Sequence, residues 1–295
     1  MSFSTDVKVE LTSVSDKELC CRQALLYGIL LFSKSFTFQN ITFSTESREI
    51  SDLFCELLKT VAGISPEITV SKAGNIKHKI DSPSDRKKLL EGFGHSKKDL
   101  ALRINHSNFN CDNCYRAFLR GAFLACGSVS NPGKSYHLEF TVAHNKLTAD
   151  LIKLLYEVNI EPKQSLRQNN NIVYLKNSEK IEELLTEMGA YEITLEFMVT
   201  KVEKDVKNRI NRQNNFELAN LDRSINAGLE QIDAIKKLKK SGKYDFLSPE
   251  LRELCDLRIK NPEASLSQLC KLSSLPISKS GLKHRLEKII SLSKE

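Results

Sequence analysis

The alternation of apolar and polar positions over residues 1–190 predicts helices and strands in an order that occurs twice. The first pass comprises a helix over 16–32, one or two short strands over 35–44, a helix over 46–61, a hairpin over 68–80 and a helix that begins near Ser82. The second pass comprises a helix over 111–129, a strand over 136–142, a helix over 146–158, a hairpin with its turn at 169–171 and a helix over 178–188. This repeat predicts two α+β halves, about 1–100 and 101–190, related by a pseudo-twofold axis.

The remaining third of the chain is helical in pattern. Residues 191–242 are mostly polar and predict a helical basic linker, although 191–200 is also compatible with a short strand. The Asn- and Arg-rich stretch at 208–215 is expected to interrupt this helix or to lie against a phosphate backbone. Residues 243–295 predict a compact all-α unit.

Three helices are predicted within residues 243–295. Ser248 is an N-cap type of residue, and Pro249 suits the first position of a helix that ends at 261–262. A short helix and a turn at 273–276 follow, and the last helix begins near Ser278. The residues expected to face inward are Leu251, Leu254, Cys255, Ile259, Leu266, Leu269, Cys270, Leu282, Leu286, Ile289 and Ile290. Three helices with a short middle one are typical of a helix-turn-helix.

The excess of positive over negative charge lies entirely in the last third of the chain. The net charge is +7; residues 1–200 carry 24 basic and 24 acidic residues, whereas residues 201–295 carry 20 and 13. This asymmetry indicates a polyanionic partner, most simply double-stranded DNA. A basic surface that only keeps the protein in solution is the alternative.

The outer face of the last helix carries the candidate DNA contacts. Ser280, Lys283 and His284 are expected to reach base edges, because the major groove is lined with hydrogen-bond acceptors. The residues that suit phosphates are Lys279, Arg285 and Lys288, joined by Arg209 and Arg212 in the linker. The alternative is a helical module that binds another protein and has a solvated basic face.

Two segments resemble the LAGLIDADG helix of homing endonucleases. Residues 119–128 (Leu-Arg-Gly-Ala-Phe-Leu-Ala-Cys-Gly-Ser) carry the clearer copy, and residues 26–35 carry a weaker one. Gly28 and Gly121 match the first glycine of the motif. In that family two such helices pack at the pseudo-twofold axis, so the resemblance implies that Gly28 and Gly121 permit a close approach of the two helices.

The chain as a whole is similar to the bacterial WhiA family. The further segments that carry this resemblance are 1–11, 20–21, 120–132, 135–139, 208–209, 219–221, 277–281 and 284–286. It implies a degenerate LAGLIDADG-like domain over 1–190, a linker over 191–242 and a helix-turn-helix domain over 243–295. Members of the family are transcription regulators of sporulation in actinomycetes and are tied to cell division and chromosome organisation in other Gram-positive bacteria. The resemblance therefore implies a sequence-specific DNA-binding regulator.

The residues with which LAGLIDADG nucleases hold their metal are missing. Ser33 in the first copy and Cys126 in the second replace the acid before the final glycine, and Lys34 replaces that glycine in the first copy. Hydrolysis of a phosphodiester in this way needs carboxylates around a hard cation. We therefore expect no catalytic residues and no enzymatic activity; an active endonuclease is the disfavoured alternative.

Two pairs of cysteines have spacings of interest. Cys111 and Cys114 form a C-x-x-C pair, and Cys20 and Cys21 are adjacent. Cys21 and Cys114 each stand seven residues before a motif glycine, so the fold could bring the pairs together. A single C-x-x-C is a weak signal and adjacent cysteines chelate poorly. Free thiols, with no metal and no cofactor, are the preferred interpretation, and a zinc site remains an open alternative.

The sequence also predicts where the protein acts and with what. It contains no run of 18 apolar residues and no apolar signal segment near its start, so we expect a cytoplasmic, nucleoid-associated protein with no membrane partner. A monomer is expected, with RNA polymerase or another transcription regulator as further candidate partners. The alternative function is a protein–protein interaction scaffold with incidental nucleic-acid affinity.

Overall fold

The computed structural model describes residues 2–99, 101–274 and 276–294. The chain divides into two units, Met1–Lys204 and Asp205–Glu295. The helices are α1 (Phe3–Thr12), α2 (Leu19–Leu31), α3 (Arg48–Leu57), α4 (Pro83–Gly92), α5 (Cys114–Cys126), α6 (Asn145–Glu157), α7 (Ser178–Met188), α8 (Tyr191–Lys240), α9 (Pro249–Lys260), α10 (Leu266–Leu272) and α11 (Lys279–Leu292). The strands are β1 (Ser35–Phe36), β2 (Ile41–Thr45), β3 (Glu67–Val70), β4 (Ile76–Lys79), β5 (Gly127–Val129), β6 (Leu138–Val142), β7 (Lys163–Arg167) and β8 (Asn170–Leu175).

The first unit contains the same α+β topology twice. Two antiparallel four-stranded sheets have the strand orders β1-β2-β4-β3 and β5-β6-β8-β7. In each half, one helix precedes the sheet, a second connects its first two strands to the hairpin, and a third follows the hairpin. The predicted α+β fold class with two repeated halves is therefore confirmed.

The core of the first unit forms around α2 and α5. Almost every residue from Ala24 to Leu31 and from Ala117 to Leu124 is buried. A helix that is apolar all round is typical of a central helix with neighbours on every side. The two sheets and the helices α3, α6 and α7 supply those neighbours, with residues such as Phe43, Phe54 and Phe140 fully buried.

Several predicted boundaries differ from the structure. The helix α1 was not predicted, although its Val7 and Leu11 are fully buried. The helix predicted over 111–129 ends at Cys126, and the next three residues form β5. The turn predicted at 169–171 lies instead at Gln168 and Asn169, both with positive φ. Two consecutive residues with positive φ form a turn whose twist matches that of the flanking strands of a hairpin.

The helix α8 runs without interruption over 50 residues. The short strand considered for 191–200 and the interruption expected at 208–215 are both wrong. The segment before Gly228 contains neither Gly nor Pro, and each Asn costs a helix only a few tenths of a kcal/mol. Within the described ranges, no helix combines the length and apolar character needed to cross a bilayer.

In the second unit, α9, α10 and α11 pack with the end of α8 on one small apolar core. The buried members of this core are Ile235, Leu238, Leu247, Leu251, Leu254, Cys255, Leu269, Leu282, Leu286 and Ile289. Ser265 and Gln268 form a capping box at the start of α10. The stripe predicted for α9 needs one correction: Ile259 is 38% exposed, and Arg258 is buried instead. Leu275, in the turn predicted at 273–276, lies outside the described residues.

Candidate nucleic-acid interface

The helix α11 has one buried face and one polar, cationic face. The buried residues are Leu282, Leu286 and Ile289. The exposed residues predicted to contact DNA are Lys279, Ser280, Lys283, His284 and Lys288. Arg285 is half-buried. Because a helix places residues three and four apart on one side, the buried stripe directs these polar side chains to solvent.

A serine cap fixes the start of α11. The Ser278 hydroxyl accepts a hydrogen bond from the backbone N–H of Gly281 at 3.1 Å. The Ser280 hydroxyl lies 3.1 Å from the Ser278 hydroxyl, so the two side chains interact at the same end of the helix. Capping of this kind stabilises the first turn by ~1 kcal/mol. The cap therefore holds the first turn, which carries Lys279 and Ser280, in helical conformation.

Two of the cationic side chains have partners within the second unit. Lys283 Nζ lies 3.7 Å from Glu287 Oε1 on the same helix. Arg285 Nη2 lies 3.1 Å from Glu250 Oε2, which links α11 to α9. Exposed pairs of this type contribute between about 0 and 1 kcal/mol, so a phosphate can compete for either cation. Among the described residues, no ion pair involves Lys279 or Lys288.

Arg209 and Arg212 lie on α8 and are exposed. Three residues apart on a helix, they project from the same side. They are placed on a regular helix rather than on the irregular segment that the sequence predicts.

Arg258 is a buried cation next to Ile259, the residue that was predicted to face inward. It is 2% exposed, and its Nη1 donates to the carbonyl oxygen of Ala264 at 2.7 Å. The carbonyl oxygens of Asn261 and Pro262 lie 3.5 Å from the same atom. Burial lowers the pKa of Arg258. By binding three carbonyls between α9 and α10, this side chain holds the turn that precedes the helix-turn-helix pair.

Gly28 and Gly121 meet where α2 and α5 cross in the first unit. A Cβ on Gly28 would collide with the carbonyl oxygen of Phe118, and a Cβ on Gly121 would collide with that of Leu25. Each helix backbone therefore lies directly against the other. Only glycine permits this separation, since every other residue carries a Cβ.

Tyr27 and Arg120, which directly precede these glycines, are buried and form hydrogen bonds to residues outside α2 and α5. Tyr27 Oη accepts a hydrogen bond from the backbone N–H of Asn105 at 2.9 Å. Arg120 is 3% exposed, forms an ion pair with Asp16 and donates to the carbonyl oxygen of Met188 at 3.2 Å. Neither residue was predicted from the sequence to have this role. The available signal was a polar residue inside an otherwise apolar motif.

Ser33 and Cys126, at the positions of the nuclease acids, line one cavity of about 370 Å³. Lys34 and His144 line it too, and none of its described lining residues is Asp or Glu. Burial raises the pKa of the Cys126 thiol to about 12, so this thiol is neutral near pH 7. The cavity therefore presents a hydroxyl, a neutral thiol and an amine, none of which is a preferred ligand of a hard cation.

Cys20, Cys21, Cys111 and Cys114 lie together at the N-terminal ends of α2 and α5. Their four Sγ atoms are all within 4.8 Å of one another. The Sγ atom of Cys111 lies 3.6 Å from that of Cys20, 3.5 Å from that of Cys21 and 3.4 Å from that of Cys114. The two pairs thus form one cluster, as their equal spacing from the motif glycines allowed.

The four thiols perturb one another. A hydrogen bond from the backbone N–H of Asn113, with further ones from the neighbouring thiols, lowers the pKa of Cys111 to about 7. Hydrogen bonding to Cys111 raises the pKa of Cys20 to about 11, and burial raises that of Cys21. Cys111 is the group in this cluster that most readily becomes a thiolate.

Two family models match the chain. The WhiA LAGLIDADG-like domain model matches residues 115–207, and the WhiA C-terminal HTH domain model matches residues 210–293. The two matched ranges together cover the second repeat, the long helix and the three-helix unit. Neither matched range includes the first repeat, for which the similarity comes from the full-length relatives.

Full-length relatives cover the whole chain. It is 36% identical to the "Probable cell division protein WhiA" of Clostridium botulinum strain Hall, over 100% of this chain and 98% of that protein. It is 35% identical to the protein of the same name from Thermoanaerobacter pseudethanolicus, with the same coverage. The crystal structure of full-length DUF199/WhiA from Thermatoga maritima matches with a TM-score of 0.59 and 26% identity, over 100% of this chain and 98% of that one.

Proposed function

The chain belongs to the WhiA family, as its sequence predicts, and we propose that it is a sequence-specific DNA-binding regulator that lacks nuclease activity. Its curated relatives are named as cell division proteins, and control of genes for cell division, chromosome segregation or sporulation is the role we assign to it. Double-stranded DNA is its partner, and the nucleoid is its place of action.

The exposed cationic face of α11 is the observation that carries this proposal. Lys279, Lys283 and Lys288 lie on it with no buried partner, while the opposite face fills the core of a three-helix unit. The second helix of a helix-turn-helix enters the major groove with its N-terminal residues toward the bases. Ser280 and His284 occupy that part of α11 and carry groups that hydrogen-bond to base edges.

The test compares the full chain with a chain that ends at Lys240. Binding to a duplex selected from a random pool, and to its scrambled version, is measured by fluorescence anisotropy over a salt series. We expect the full chain to prefer the selected duplex, with a log–log salt slope of about −0.9 per neutralised phosphate. The truncated chain should lose most of that affinity. Thermal melting of the truncated chain controls for its folding, and undiminished binding by a folded truncated chain would contradict the proposal.

The absence of nuclease activity rests on the chemistry of the Ser33 and Cys126 cavity. Neither side chain is a ligand of choice for Mg²⁺, and Lys34 repels a cation. Without a bound ion, the fold lacks the group that would activate water against a phosphodiester.

A second candidate function, binding of another protein, is favoured by an exposed apolar row on α8. Its members are Ile210, Leu218, Leu221, Ile225 and Leu229, each at least 43% exposed. They fall within one helical face, which is the pattern of a surface that binds a partner helix. If this were the main function, Leu221→Glu would abolish the regulatory effect in cells while leaving duplex binding unchanged. Lys288→Ala would then have no effect on regulation.

A further inference from the structure

The cluster of Cys20, Cys21, Cys111 and Cys114 has the dimensions of a tetrathiolate metal site. In a tetrahedral site with metal–sulfur distances of ~2.3 Å, the sulfurs lie about 3.8 Å apart. The separations of Cys111 Sγ from the other three sulfurs are 3.4, 3.5 and 3.6 Å, and all four sulfurs fall within 4.8 Å of one another. A displacement of a few tenths of an ångström by each sulfur would produce the ideal geometry.

We propose that these four cysteines bind a single zinc ion through their thiolates. Four thiolates are a ligand set that zinc takes in structural sites, whereas Mg²⁺ and Ca²⁺ prefer oxygen ligands. An iron–sulfur cluster also uses four cysteines, but it places inorganic sulfide and several irons between them. Sulfur atoms within 4.8 Å of one another leave room for one ion.

The local backbone suits a negatively charged zinc–thiolate centre. Cys20 and Cys21 lie in the first turn of α2, and Cys114 is the first residue of α5. The partial positive charge at a helix N-terminus stabilises a thiolate, and two such ends meet at this cluster. Zinc binds thiolates, so binding of the ion releases thiol protons to solvent.

The position of the ion would give it a structural role. Cys20 and Cys21 belong to the first repeat, and Cys111 and Cys114 belong to the second. The same two helices cross at Gly28 and Gly121, two turns farther along each helix. The zinc ion thus ties the two repeats at one end of the helix pair whose close packing joins them. Cys111 is exposed, so solvent reaches one side of the cluster.

The test measures metal in the full chain, purified under reducing conditions without a metal-affinity step. Elemental analysis should find about one zinc ion per chain. After removal of zinc by a chelator under reduction, Co²⁺ should restore a visible absorption spectrum with the intensity of tetrahedral cobalt bound to four sulfurs. The melting temperature of the chain should fall when zinc is removed and recover when zinc is returned.

The variants Cys111→Ser and Cys20→Ser should lose zinc. The matched controls are Cys55→Ser and Cys270→Ser, half-buried cysteines outside the cluster, which should retain it. The cobalt spectrum of the unmutated chain does not depend on whether a variant folds. A chain with no zinc and no tetrathiolate cobalt spectrum, with iron in place of zinc, or with a disulfide in the reduced preparation would overturn the proposal.

Discussion

The backbones of Gly28 and Gly121 approach so closely that a Cβ on either residue would lie 3.2 Å from the Cα of the other. The relationship is reciprocal, as expected for equivalent residues across a pseudo-twofold axis. It makes the centre of the first unit a backbone-to-backbone contact rather than a contact between side chains.

The first prediction concerns these glycines. Gly28→Ala or Gly121→Ala should lower the free energy of unfolding of the first unit by about 1–3 kcal/mol, because the added methyl forces the helices apart. Urea denaturation followed by circular dichroism measures it. Gly92→Ala is the matched control: Gly92 ends α4 and has no atom within 4 Å of an added Cβ. Equal effects at all three positions would show that the close contact is unimportant.

The second prediction separates base contacts from phosphate contacts on α11. Lys283→Ala should weaken binding to the selected duplex by about 1–3 kcal/mol and reduce its preference over a scrambled one. Lys288→Ala should weaken binding to all sequences alike and reduce the salt slope by about one unit. Both side chains are exposed, so melting temperatures should be unchanged.

A control for these lysines lies in the first unit. Lys87 pairs with Glu91 at 3.8 Å on α4, as Lys283 pairs with Glu287 at 3.7 Å on α11. Lys87→Ala removes the same type of pair in the unit that does not contain α11 and should leave DNA binding unchanged. Equal losses for Lys283→Ala and Lys288→Ala on both duplexes would mean that α11 lies on the backbone without distinguishing bases.

The third prediction concerns the buried guanidinium of Arg258. Arg258→Ala should destabilise the second unit by about 2–3 kcal/mol, because it removes charge-assisted hydrogen bonds to the turn after α9 and the packing of a buried side chain. DNA binding should fall only as far as the fraction of folded protein falls. Arg252→Ala, on the exposed side of the same helix, should leave the melting temperature unchanged. Full stability of Arg258→Ala would contradict the role assigned to this side chain.

The sequence predicted the three helices α9 to α11, but not which residue of α9 is buried. The caps, the proline and the leucine spacing of α9 to α11 are local signals, and the helices begin where those signals stand, at Pro249 and Lys279. By helical spacing Arg258 falls in the middle of the stripe, seven residues after Leu251, and Ile259 falls at its edge. The apolar side chain of Ile259 favoured the wrong residue. The choice depends on three carbonyl oxygens contributed by the following turn, and only the tertiary structure supplies them.

Two other differences have the same kind of origin. The short strand β5 follows α5 directly, and its residues pair with β6. The helix predicted from the sequence therefore extended three residues beyond the end of α5. The cysteine cluster joins residues about 90 apart in the sequence. Their equal distance from the two motif glycines was visible, but only the crossing of α2 and α5 sets the distances between the sulfur atoms.

The fourth prediction is a loss of stability in mild acid. Burial lowers the pKa of His78 and of His95 below the usual 6.5. The unfolded chain therefore binds more protons as the pH falls below 6.5, and the folded state loses up to ~1.4 kcal/mol per histidine for each pH unit down to the lowered pKa. Unfolding free energies measured between pH 7.5 and 5 should show this decline.

Variants identify the groups responsible for the acid sensitivity. His78→Gln retains a donor for the contact with Ser51, whose hydroxyl lies 2.9 Å from His78 Nε2, and should flatten the pH dependence. His106→Gln, at an exposed position, is the control and should leave the slope unchanged. An unaltered slope in both His78→Gln and His95→Gln would assign the effect to other groups.

The fifth prediction is that the pure protein does not cleave DNA. Supercoiled plasmid incubated with Mg²⁺ or Mn²⁺ should remain intact on agarose gels, because the cavity at Ser33 and Cys126 has no acidic lining residue among those described. Cleavage that disappears in a His144→Ala variant would contradict this, since His144 lines the cavity. Metal-dependent cleavage that co-purifies with the protein and persists in the variant would contradict it as well.

The equal strand order of the two sheets bears on how this chain arose and how it can evolve. A helix pair with a reciprocal glycine contact and identical topology on both sides is the arrangement of a symmetric homodimer joined into one polypeptide. In a homodimer every substitution appears twice, on both sides of the axis. Tandem duplication removes that constraint, so one copy can diverge freely while the other preserves the shared interface. The clearer motif in the second repeat and the weaker one in the first are the expected record of such unequal drift.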